Sequence, residues 1–76
     1  MTLDEIKPGK TVVVLSVNGQ GPIRRRLFDM GITPKTKILV RKVAPLADPM
    51  EVSVRNYELS LRKSEAQQIK VEVCEG

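Results

Sequence analysis

Apolar positions follow two different periods along this chain. "TVVVLSV", Thr11 to Val17, is β-branched and apolar and predicts a strand. "TKILVRKV", Thr36 to Val43, alternates at first, with Ile38 and Val40 inward and Lys37 outward. "MEVSVRNYELSLR" reads as two short strands around a tight turn at Arg55-Asn56-Tyr57, with Val52, Val54, Leu59 and Leu61 pointing in. "IKVEV" alternates throughout, placing Ile69, Val71 and Val73 inside and Lys70 and Glu72 outside. Helical spacing replaces this pattern in two places. Ile23, Leu27 and Met30 stand at i, i+4 and i+7, after a proline suited to the first helical position and before Gly31, suited to the left-handed residue past the last turn. "KSEAQQ" predicts one further helical turn, with Ser64 and Gln67 at capping-box spacing.

The connections are equally legible. Leu3 and Ile6 in "LDEIKPGK" predict a single turn that plugs a barrel end. "NGQG" ends the first strand, and "APLADP", with two prolines, cannot remain in a ladder and predicts an ordered surface loop. Five short strands, two small helices and one core imply a mostly β fold, a small β-barrel whose closure removes exposed edges. The first helix, too short to persist alone, must cap an open end of it. Seventy-six residues allow one domain, spanning 1–76.

Composition narrows the chemistry. There is no His, and Cys74 is the only thiol, so neither a disulfide nor a soft-ligand metal cluster is expected. By parity with Lys70 and Glu72, Cys74 belongs on the polar face as a frayed terminal residue. Serines without a histidine partner supply no nucleophilic constellation, and the acids sit in turns and loops, so no enzyme activity is expected. "GQGP" is not a dinucleotide or Walker loop, and Pro22 lacks the backbone donor that a phosphate would use. No cofactor is implied. Asp48, Glu51 and Cys74 could hold a metal adventitiously, and oxygen ligands from Asp48, Glu51 and Glu58 are conceivable for a weak transition-metal site. No apolar run approaches the ~20 residues that span a bilayer, and the opening residues lack the basic-then-apolar order of a signal peptide. A soluble cytoplasmic chain without direct membrane insertion is expected.

The net charge of +4 is uneven. Positions 1–38 hold seven basic and three acidic residues, whereas 39–76 hold six of each. The excess lies with Arg24, Arg25 and Arg26. Setting Ile23 at zero on a helix of about 100° per residue, Leu27 falls near about 40°, Arg24 about 100°, Phe28 about 140° and Arg25 about 200°. Phe28 then lies outward, between two arginines, while Arg26 borders the core. Two readings follow. The arginines are a solvated face, with Arg25 and Asp29 paired at i, i+4 and Phe28 folded on a neighbouring loop. Alternatively Arg24, Arg25 and Phe28, with Lys35 nearby, form a docking face of the composition that dominates binding hot spots. A basic patch also suits nucleic acid, but two aromatics in the chain argue against a stacking platform, and no nucleic-acid partner is expected.

Four stretches in order, "LDEIKPGK", "RRRLFDMGITP", "APLADPMEV" and "YELSLRKSEAQQIKV", resemble the FeoA (ferrous iron transport protein A) domain family over nearly the whole chain. The resemblance implies an SH3-like barrel. It also implies a cytoplasmic accessory of bacterial ferrous iron uptake, whose partner is FeoB, a membrane permease with a cytoplasmic GTP-binding domain. The C-terminal SH3-like domain of iron-dependent repressors is a related resemblance, although their DNA-binding helices have no counterpart here. Lys35, Ala47 and Asn56 stand where the family commonly carries glycine. Asn56 tolerates positive φ, whereas Lys35 and Ala47 imply slightly altered loops.

Overall fold

The computed structural model describes residues 1–74, the side chain of Ala47 aside. The strands are β1 (Thr11–Val17), β2 (Lys37–Val43), β3 (Met50–Val54), β4 (Tyr57–Leu61) and β5 (Ile69–Val73). Helix α1 (Pro22–Asp29) follows β1, and α2 (Lys63–Ala66) joins β4 to β5. All neighbouring strands are antiparallel, in the order β4-β3-β2-β1-β5. The result is mostly β, with five strands and two short helices, as the apolar pattern predicts.

Two bulges bend the sheet around its core. Leu15 is the extra residue of β1 opposite β5, and Arg41 is the extra residue of β2 opposite β3. Each reverses the inside–outside parity of its strand. Val12 and Val14 are buried before the first bulge and Val17 after it, while Leu15 is turned out to solvent. A bulged strand gains local twist, and this allows a short sheet to wrap. Simple alternation does not reveal a bulge, because the inserted residue is invisible until the partner strand is in place.

Sixteen buried apolar residues form one core, drawn from every strand, from α1 and α2, and from the opening turn. Leu3 and Ile6 plug it as their spacing predicts. No ladder joins β4 to β5 among the described residues, so ring closure does not protect the end strands. The outer edge of β5 is covered by the N-terminus: the Val71 N–H donates to Met1 O at 2.8 Å, and Thr2 bridges Lys70. The β3–β4 hairpin turns on Arg55 and Asn56, both at positive φ (49° and 74°), the geometry of a two-residue turn that follows the strand twist.

Three expectations need correction. Val73, the last residue of β5, is 37% exposed rather than buried, although it pairs with the buried Val12. Cys74 is half-buried and its N–H donates to Thr11 O at 2.8 Å, so it extends the β1–β5 pairing instead of fraying. The cap of α2 is not Ser64–Gln67: the Arg62 N–H donates to Glu65 Oε1 at 2.9 Å, placing the helix start two residues earlier. Arginine is not among the residues that signal an N-cap, and the acid half of the box was the only clue.

Candidate docking surface on the first helix

Helix α1 ends in a tight reversal. The Gly31 N–H donates to Phe28 O (2.9 Å) and the Ile32 N–H to Leu27 O (3.0 Å), with Gly31 at φ 88°. This paired geometry needs a left-handed residue at Gly31 and brings Leu27 and Ile32, both fully buried, into one contact with the core. The helix therefore docks through its last turn. Phe28 and Met30 pack on the core beside it, half-buried. Ile23 is 39% exposed, along with the rest of the first turn. The expected stripe of Ile23, Leu27 and Met30 is thus rotated toward Phe28. In an eight-residue helix the anchoring end decides which face is buried, and a wheel drawn from the first residue has no knowledge of it.

The three arginines have three different environments. The Arg24 guanidinium lies over the Phe28 ring, 4.7 Å from its centroid, and its Nε–H donates to Val17 O at 3.4 Å. Arg26 Nε is 3.3 Å from Glu65 Oε2. Glu65 is buried, and its other oxygen accepts the Arg62 N–H, so its charge has donors on both sides. Arg25 is exposed and has no ion-pair partner among the described residues; the expected pairing with Asp29 is not made. Tyr57 on β4 closes the set from the far end, its hydroxyl donating to Met30 O at 3.1 Å.

Arg24, Arg25 and Phe28 line one open hollow of about 370 Å³, together with Gly21 and Asp29. Lys35 is not among the residues of this hollow. It lies in the connection to β2 at φ 75°, its N–H donating to Val14 O at 2.7 Å. The loop thus holds this lysine in the left-handed conformation that glycine adopts most readily. A larger groove, about 570 Å³, is lined by Pro8, Arg41, Lys42, Val43, Ala44, Pro49 and Glu51.

Asp48, Glu51 and Glu58 do not assemble into a ligand set. No three of His, Cys, Asp and Glu gather among the described residues. Asp48 Oδ1 accepts the Lys63 N–H at 3.3 Å, and Glu58 Oε1 is 3.7 Å from Arg41 Nε. The Thr2 N–H donates to Glu5 Oε1 at 2.9 Å, and this bond to the charged form holds the Glu5 carboxyl below its ordinary value. Among the described residues, no helix is long and apolar enough to cross a membrane.

The fold has close counterparts. The sequence pattern of the FeoA domain matches residues 1–73. A fusion of Fe(2+) transport protein A with the Fe(2+) transporter FeoB from Porphyromonas gingivalis is 37% identical over 73 residues, which are 96% of this chain but only 9% of the fusion. An FeoA-like protein from Clostridium acetobutylicum superposes with a TM-score of 0.90 at 39% identity, covering 100% of this chain and 88% of that one. FeoA from Stenotrophomonas maltophilia, a prokaryotic SH3 domain protein solved as a zinc complex, superposes with a TM-score of 0.84 at 30% identity over 95% of this chain and 89% of that one. With a family match across nearly every residue and the same SH3-like fold, the chain belongs to the FeoA domain family, which is linked to ferrous iron transport.

Proposed function

We propose that this chain is a cytoplasmic accessory of ferrous iron uptake, acting by docking to the cytoplasmic part of a FeoB-type permease through α1. The observation that carries the reading is the fusion in Porphyromonas gingivalis, where a domain 37% identical to this chain shares one polypeptide with the transporter. Tethering raises the effective concentration of two modules that work together. The α1 surface supports the same reading. It presents an arginine–aromatic cluster in a shallow hollow, on a helix anchored through its last turn. Preorganised aromatic and arginine side chains favour association because little conformational freedom is lost on binding.

The test is direct binding of the 76-residue chain to the FeoB-type permease of the same organism, reconstituted in nanodiscs. Charge reversal at Arg24 and Arg25 together is expected to weaken binding while the melting temperature falls little. Unchanged affinity would remove these two arginines from the reading. A nucleic-acid partner predicts retention on RNA or DNA at low salt with a steep loss as salt rises. The two aromatics do not favour it: Phe28 is stacked beneath Arg24, and Tyr57 is hydrogen-bonded to Met30.

A further inference from the structure

We infer that Arg25 is the residue of the triplet that contacts the partner, and that it takes a carboxylate from an acidic segment, while Arg24 and Arg26 are positioning residues. The inference rests on the docking reading above and goes beyond it by separating three side chains that the sequence presents as equivalent.

The separation follows from what each guanidinium already does. Arg24 is committed twice, by its stack on Phe28 and by its bond to Val17 O. Its contribution is to fix the ring and tie the first turn of α1 to the end of β1. Arg26 is committed to Glu65, a buried carboxylate that would otherwise be left with a single donor. Drawing Arg26 toward a partner would strand that charge, and uncompensated buried charge is strongly unfavourable. Arg25 has no such obligation among the described residues and stands in solvent at the hollow's rim. Its five donors form a planar fork that matches a carboxylate with two parallel bonds.

The hollow itself selects the sign of its occupant. It carries Arg24 and Arg25 against one acid, Asp29, in a chain of net charge +4. Gly21 borders it with no side chain, and a Cβ there would meet nothing within 4 Å, so an incoming segment finds open space on that side. Asp29 flanks the same hollow without neutralising Arg25. It therefore opposes an acidic occupant, and removing its charge must strengthen binding. That sign is specific to an acidic partner, since a basic segment would show the reverse.

The experiment measures affinity of the chain for the full-length permease in nanodiscs, with melting temperature recorded for each variant. Arg25→Glu is expected to weaken binding by about tenfold or more, as central charged contacts do. Arg25→Lys should weaken it by about threefold, because the charge survives and the fork does not. Asp29→Asn should tighten it by about twofold, through lost like-charge repulsion. A hexaglutamate peptide should compete with the permease for the wild-type chain and not for Arg25→Glu. Arg26→Gln should lower the melting temperature more than it lowers affinity. If Arg25→Glu binds like wild type while Phe28→Ala does not, the assignment of Arg25 is overturned and α1 remains the docking face. If Arg24→Glu/Arg25→Glu/Phe28→Ala also binds like wild type, the docking reading itself falls. Weakening of affinity by Asp29→Asn would overturn the acidic occupant.

Discussion

Two ion pairs of the same chemistry stand in contrasting parts of this molecule. Arg41 and Glu58 meet on the outer face of the sheet, at 3.7 Å, with side chains 52% and 68% exposed. Arg26 and Glu65 meet between the two helices, at 3.3 Å, with the arginine 63% exposed and the glutamate only 6%. In the first pair both charges keep their water, and either can be lost with little consequence. In the second the carboxylate is withdrawn from solvent and depends on the donors around it: one guanidinium and one backbone N–H. The pair on the sheet decorates a surface. The pair between the helices links α1 to α2. Burial of one partner, rather than separation alone, distinguishes a structural pair from an incidental one.

Mutation can break or sharpen this contrast. The largest effect is expected from Glu65→Ala, which removes the cap of α2 and the partner of Arg26 together. A loss of about 1.5–3 kcal/mol, the range for hydrogen bonds to a charged group, should appear in urea unfolding. Arg26→Gln leaves the buried carboxylate one donor short, and about 1–2 kcal/mol should be lost in the same measurement. Lys35→Gly acts in the opposite direction. Relief of the left-handed backbone at φ 75° should stabilise by about 1 kcal/mol, raising the urea midpoint. Glu58→Gln should change stability by no more than about 0.5 kcal/mol, and any change should vanish in high salt. A loss comparable to that of Arg26→Gln would refute the contrast.

The smallest effect is an acid one. The Glu5 carboxyl titrates lower in the folded chain than in the unfolded one, because the Thr2 N–H binds its charged form. Its contribution is present above the ordinary glutamate value and is lost as pH falls through the lowered folded value. Glu5→Gln should remove this slight acid dependence of the melting temperature and leave the neutral value nearly unchanged.

Much of this architecture could be read before any coordinates. The bounds of β1 and β5, the start of α1 at Pro22 and the left-handed Gly31 follow from local chemistry: branched residues, a missing N–H, a missing Cβ; the turn read at Arg55-Asn56-Tyr57 is one residue shorter, because Tyr57 opens β4. The candidate surface was legible in part. Arg24, Arg25 and Phe28 do share one hollow, whereas Lys35 lies outside it. The Arg26–Glu65 pair was not legible, because 39 positions of chain separate its members and nothing local marks either one. Nor were the bulges at Leu15 and Arg41, which exist only relative to a partner strand.

By itself the sequence determined which segments extend, which coil, where the chain turns, and to which family it belongs. Those properties depend on neighbours within a few residues, or on motifs taken in order. Only the tertiary structure decided the rotation of α1 on the barrel, the parity switches in β1 and β2, and the division of labour among three consecutive arginines. Each of these depends on a contact between distant residues, and a guanidinium acquires its role from the group it meets.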